Sequence, residues 1–146
     1  TSKFQIYSFN ENTTPTYHIK GSQWLEGGNA KHLNTAVKNL FNLAPEKGTN
    51  LYKAFESITN FTEPPDNIYL LTDGLPTKGA SSGFGNTISA TQRKKLYRKA
   101  IENLPSGIPI NIILFNMEGD PEASSEYWKL AQRTNGAFFS PSNDWP

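Results

Sequence analysis

Between the turn-forming triplet Pro64-Pro65-Asp66 and the dipeptide Asp73-Gly74 stands Ile68-Tyr69-Leu70-Leu71, a continuous apolar run too short for a helix and bounded by turn signals on both sides. Such a run suits a parallel strand buried on both faces, because only helical crossovers covering a sheet from above and below leave no polar alternation in its strands. Ile110 to Phe115 repeats the pattern. Around these two runs the periodicity changes from strand-like to helical. Leu51, Ala54, Phe55 and Ile58 follow Thr49, whose hydroxyl is suited to cap a helix, and Leu96, Tyr97, Ala100, Ile101 and Leu104 mark a helix from about Thr91 to Leu104. Asp120-Pro121-Glu122 offers a cap, a first-turn proline and a first-turn acid, Asn135-Gly136 a stop, and Ala137 to Ser140 a last short strand.

Upstream, Phe4 to Phe9 alternates as a strand, with Tyr17 to Ile19 as its expected hairpin partner, and Ala30 to Leu43 carries Leu33, Val37, Leu40 and Phe41 at helical spacing up to Pro45. Strands and helices therefore alternate from residue 46 to the end. The expected class is α/β: a doubly wound, mostly parallel sheet with helices on both faces and a short antiparallel edge strand, in one unit covering 1–146.

Composition narrows the function classes. A net charge of +1 gives no whole-molecule field for nucleic acid or an anionic membrane. With no cysteine there is no disulfide scaffold, thiolate metal site or thiol nucleophile. No stretch reaches the roughly 18 apolar residues of a membrane span, and Thr1 to Phe9 is not a signal peptide. A Ser-His-Asp hydrolase would need a Gly-x-Ser-x-Gly elbow, which the chain lacks. The sequons at Asn12 and Asn60 are ordinary in a chain rich in Asn and Thr, and His18 and His32 lack motif partners.

In open α/β sheets ligands collect at the carboxyl ends of the strands. Asn10, Thr49-Asn50, Thr72-Asp73-Gly74 and Asn116 all fall on that rim. The Thr49 hydroxyl and Asp73 carboxylate are hard oxygen donors that suit Mg²⁺, Ca²⁺ or Mn²⁺ better than Zn²⁺. Taken singly, Thr49 is an ordinary cap and Asp73 an ordinary turn residue.

The order of Gly48-Thr49-Asn50-Leu51 opening a helix and Ile68-Tyr69-Leu70-Leu71-Thr72-Asp73-Gly74-Leu75-Pro76-Thr77 ending a strand resembles the von Willebrand factor type A domain. In that family a Thr and an Asp at these places join an Asp-x-Ser-x-Ser segment after the first strand to form a metal-ion-dependent adhesion site. The metal keeps one coordination position for an acidic residue of a partner protein. The resemblance implies a binding module and not an enzyme, with Thr49 and Asp73 on the metal and Asn10, Asn50, Gly74 and Asn116 on the partner-binding rim. Pro65 to Thr77 and the ending Ser140 to Pro146 are similar, more narrowly, to bacterial type A domains at the C-terminus of membrane-anchored proteins, the membrane being reached only through an anchor outside this chain.

No Asp-x-Ser-x-Ser occurs in these 146 residues. The family's first strand is central, between the strands corresponding to Phe4–Phe9 and Ile68–Leu71, so its loss is expected to leave open edges and a metal site too incomplete for tight binding by this piece alone. Two other readings compete. Asp73 with Asp120 or Glu118 offers paired carboxylates for a metal-dependent hydrolase or nuclease. Arg93, Lys94, Lys95, Arg98 and Lys99, five of the fourteen basic residues, offer a helical patch for RNA, although a solvated helix face accounts for the same run and near-zero net charge argues against nucleic acid. No small-molecule substrate is indicated.

Overall fold

The computed structural model describes residues 2–44, 48–80 and 88–141. Pro45 and most of the ending Ser140 to Pro146 lie outside them. The architecture is mixed α/β, with helices flanking three small sheets. Strands β1 (Lys3–Phe4) and β4 (Leu25–Glu26) pair antiparallel, as do β2 (Tyr7–Phe9) and β3 (Thr13–Pro15). The third sheet is parallel, in the order β5 (Ile68–Thr72), β6 (Ile110–Leu114), β7 (Phe138–Phe139). The helices are α1 (Ala30–Phe41), α2 (Leu51–Thr59), α3 (Ala90–Ile101) and α4 (Glu122–Arg133).

The N-terminal hairpin departs from expectation. The alternating run Phe4 to Phe9 is broken in two because the Gln5 side chain accepts from the Ile6 amide and donates to the Gln23 carbonyl, turning the chain between β1 and β2. The hairpin then closes at Thr13–Pro15, with Tyr7 opposite Pro15, and the segment Tyr17 to Ile19 contributes only an isolated bridge from Ile19 to Ser22. Local side-chain bonds outcompete alternation here.

Three helix starts depend on polar side chains. Asn29 caps α1 by accepting from the Lys31 amide; Asn50, not Thr49, caps α2 by accepting from Lys53; Ser89 and Gln92 form a reciprocal capping box on α3. At α4 the cap position is Pro121 and no side chain accepts there, since the Asp120 carboxylate is used elsewhere. The stop after α4 forms as expected. Asn135 takes the left-handed conformation (φ 57°), and Gly136 lies so close to the Ile110 carbonyl that a side chain would collide with the β6 backbone.

The main core lies on one face of the parallel sheet. Leu70, Ile110, Ile112 and Leu114 pack against Leu51 and Phe55 of α2, Tyr97 and Ala100 of α3, and Ala123, Tyr127, Leu130 and Ala131 of α4. The opposite face is different. Tyr69 is 69% exposed, Leu71 54% and Phe115 51%, so the helical cover expected on both faces is present on one among the described residues. α1 shows the same deficit: it forms where its periodicity places it, yet only Ala36 is fully buried, while Leu33, Leu40 and Phe41 are exposed. Among the described residues the single wound sheet expected from the alternation is thus divided, and β5 is an edge strand.

That edge has a measurable signature. Ile68 donates to Pro109 and Phe115 donates to Thr72 across the β5–β6 ladder, so the amides of Ile68, Leu70 and Thr72 face β6 and those of Tyr69 and Leu71 face the open side. Hydrogen exchange followed by NMR is expected to show Tyr69 and Leu71 exchanging at least roughly a hundredfold faster than Leu70. Equal protection would mean that the edge is covered in solution.

Candidate functional site

Three segments converge at the carboxyl end of β5. The end of β2 reaches the start of α2 through the Asn50 amide, which donates to the Asn10 carbonyl at 2.8 Å. The segment after β5 returns to the same place. The Thr77 hydroxyl accepts from the Thr49 amide at 2.8 Å, and the Thr49 carbonyl accepts from the amides of Thr77 and Lys78. Gly48, with φ 53°, permits this approach: a side chain there would meet Thr77 Oγ1 and Lys78.

The loop bearing Asp73 is fastened from beneath by buried polar groups. Asp120 Oδ2 accepts from the Leu75 amide at 2.7 Å and pairs with Arg93 Nη2 at 2.9 Å; its side chain is 1% exposed, that of Arg93 11%. Arg93 also donates through Nε and Nη2 to the Leu75 carbonyl. The Tyr127 hydroxyl donates to the Gly74 carbonyl at 2.9 Å, as does the Thr72 hydroxyl at 3.1 Å, and burial pushes the Tyr127 phenol far above its ordinary pKa. Gly74 has room for no side chain, because a Cβ would press on Asp120 Oδ2 and Arg93 Nη2. Met117 donates to the Asp73 carbonyl on the far side.

Against this fixed backbone, the two candidate metal ligands are uncommitted. Neither the Thr49 hydroxyl nor the Asp73 carboxylate makes a hydrogen bond or ion pair with the described residues, and Asp73 is exposed. The four residues assigned to the partner-binding rim have structural attachments. Asn50 is buried, its amide nitrogen donating to the Gly79 carbonyl at 3.0 Å; Gly74 is buried; Asn10 accepts from the Asn12 amide; Asn116 donates to Ser140 and accepts from Ser124. They shape the rim.

Of the two alternative carboxylate pairings, Asp73 with Asp120 is not presented to solvent, since Asp120 is buried on Arg93, whereas Glu118 is exposed. The basic run of α3 is likewise dispersed. Arg93 points into the core, and Lys94 pairs with Glu122 at 2.6 Å and Glu126 at 3.1 Å, hydrogen bonds that hold its ammonium pKa above the ordinary lysine range. Lys95, Arg98 and Lys99 remain exposed. His32 has a structural part, its Nδ1 accepting from the Glu26 amide. Among the described residues no three His, Asp or Glu side chains gather into a metal cluster, and no helix is long and apolar enough to cross a membrane.

Sequence reading did not identify Thr77, Arg93, Asp120 or Tyr127 as rim supports. Asp120 reads as a helix cap and Arg93 as one member of a basic run, and only the tertiary structure brings them together. No family model matches the chain, and no curated protein or solved structure is similar to it at a meaningful level.

Replacing Asp120 with Ala is expected to destabilise the fold by about 3–5 kcal/mol in urea denaturation, because it strands the Arg93 charge in the interior. Combining Asp120→Leu with Arg93→Met is expected to recover part of that loss by removing the stranded charge, the remainder being about 1–3 kcal/mol for each of the Leu75 amide and carbonyl left without a partner. A double variant no more stable than Asp120→Ala would show that the pair is not the main tie.

Proposed function

We propose that the chain is the greater part of a von Willebrand factor type A-like domain, a protein-binding module whose doubly wound, mostly parallel sheet presents a metal-assisted docking rim around Thr49 and Asp73. One observation carries this reading: the backbones of both segments are pinned by neighbouring groups while their side-chain oxygens make no bond to the described residues. A turn or cap residue kept only for local structure would spend its side chain on that structure, as Asn50 does.

A hydroxyl and a carboxylate fit Mg²⁺, or Ca²⁺ or Mn²⁺, which accept hard oxygen ligands; Mg²⁺ in particular keeps several waters. They fall short of a closed coordination shell, the remainder of which the family resemblance assigns to an Asp-x-Ser-x-Ser segment that these residues do not contain. When bound, such an ion supplies a Lewis-acidic position open to a partner's Asp or Glu. Thr77 fixes Thr49 through its amide, and the Arg93, Asp120 and Tyr127 contacts fix the 72–75 loop so that Asp73 is preorganised at the rim. The division of the sheet supports the same reading. The resemblance places a central strand between those corresponding to β2 and β5, which lie in separate sheets here, with β5 open and the neighbouring face exposed. The narrower resemblance places the module on a membrane-anchored bacterial protein, the anchor lying outside these residues.

Titration with Mn²⁺ followed by NMR is expected to broaden the amide signals of Thr49, Asn50, Asp73 and Gly74 selectively, with roughly millimolar affinity as for weak oxygen sites. Asp73→Ala, at an exposed position, is expected to abolish that broadening with the fold unchanged. Broadening centred elsewhere, or insensitive to the substitution, would remove the metal reading.

A further inference from the structure

A cleft of about 210 Å³ opens beside the rim, between α2 and α3, lined by Tyr52, Gly79, Gln92, Lys95, Leu96 and Lys99. Its attachment to the rim is direct. Asn50, next to Thr49 in the chain, holds the Gly79 wall through its side-chain amide at 3.0 Å. Gly79 is packed onto the cleft floor, where an added Cβ would come within 2.7 Å of Leu96 Cδ2, so any larger residue there would fill the space. Leu96 and the half-buried ring of Tyr52 make the floor largely carbon.

The charge at its mouth is one-sided. α3 contains no acidic residue, and its first two cations are neutralised from elsewhere: Arg93 by Asp120, Lys94 by Glu122 and Glu126. Lys95 and Lys99 make no ion pair with the described residues. They stand at i and i+4, where like charges repel by a few tenths of a kcal/mol on a helix surface. An anion between them relieves that repulsion, and the carbon floor beneath favours one carried next to an apolar group. The Tyr52 hydroxyl, also without a partner among the described residues, is available as a donor.

We infer that this cleft is a second contact point for the same partner, receiving an acidic peptide segment in which a Glu or Asp lies next to an aromatic or aliphatic side chain. The carboxylate sits between Lys95 and Lys99, and the apolar side chain covers Leu96 and Tyr52. The inference rests on the reading of the rim as a docking edge for an acidic partner. It adds that the partner must offer at least two acidic groups, one for the ion at Thr49 and Asp73 and one for the lysines. A metal contact alone accepts any exposed carboxylate; a neighbouring cleft that requires an acid beside an apolar residue gives selectivity.

The experiment is an anisotropy titration of the whole chain with fluorescein-labelled Gly-Glu-Phe-Glu-Gly, with Gly-Gln-Phe-Gln-Gly and oligouridylate as comparison ligands. Binding of the acidic peptide is expected to weaken roughly tenfold or more in Lys95→Glu combined with Lys99→Glu, both exposed positions that the fold does not use, and to fall with rising salt. Gly79→Val, which fills the cleft without changing charge, is expected to weaken it similarly, with circular dichroism confirming the fold. Unchanged affinity in the charge-reversed protein, equal binding of the glutamine peptide, or preference for oligouridylate would each overturn the inference. Chelation separates it from the rim. Binding that survives chelator but not charge reversal supports the cleft even if no metal binds at Asp73, whereas Asp73-dependent Mn²⁺ broadening with no effect of charge reversal leaves the rim standing and removes the cleft.

Discussion

The buried pair between Asp120 and Arg93 is the tie on which the rim's geometry depends. It joins α3, the loop after β5 and the approach to α4, and it does so through both backbone groups of a single residue, Leu75, whose amide Asp120 holds and whose carbonyl Arg93 holds. Apolar packing alone positions a loop loosely, since contacts without direction tolerate small displacements. A charge-assisted bond at 2.7–2.9 Å does not. Burying two charges is costly, and an apolar replacement of similar volume is often as stable, so the contribution of this pair lies in fixing a conformation. Its placement two residues from Asp73 means that the conformation fixed is that of the rim.

The same parallel sheet shows what happens where such fixing is absent. On its packed face the strands gain the helices α2, α3 and α4, with Tyr97 and Tyr127 in edge-to-face contact and both hydroxyls satisfied on backbone carbonyls. On its other face Tyr69, Leu71 and Phe115 stay in water, each forgoing part of the roughly 1.5–3 kcal/mol that full burial of such a side chain contributes. Continuous apolar runs evolve where both faces are covered. The run Ile68 to Leu71 therefore implies a cover that the described residues do not provide, and the exposed stripe of α1, with Phe41 86% exposed, is a second surface of the same kind.

Much of the secondary structure was legible because its signals are local. The apolar runs at β5 and β6, the periodicity of α1 to α3 and the start signal of α4 require no knowledge of distant residues, and Asn135-Gly136 marks the end of α4 by its own backbone preference. The errors occur where a polar side chain had more than one possible use. Thr49 and Asn50 both satisfy the rules for a cap, and the choice of Asn50 follows from its second bond to Gly79, twenty-nine residues away. Asp120 was equally suited to cap α4, yet its carboxylate turns inward to Arg93. The rim was legible as a set of strand ends; its supports were not, since Arg93 and Lys94 are identical in charge and adjacent in sequence but have opposite environments.

That contrast along α3 also explains how a nearly neutral chain can carry a directional charge. Five cations lie within seven positions, and sequence alone offers them either as one patch or as a solvated helix face. Folding removes Arg93 to the core and commits Lys94 to Glu122 and Glu126. Burial alone would raise the carboxyl pKa of Glu126, but the Lys94 hydrogen bond, assisted by Lys129, more than offsets it and holds that carboxyl below the ordinary range. What remains is Lys95 and Lys99 at one cleft, with Arg98 also exposed. A broad patch would attract any polyanion through screened long-range forces, whereas two lysines over a carbon floor discriminate at contact distance between an acid with an apolar neighbour and an acid without one. The ion pairs that dismantle the patch are thus what make a selective site physically possible beside the rim.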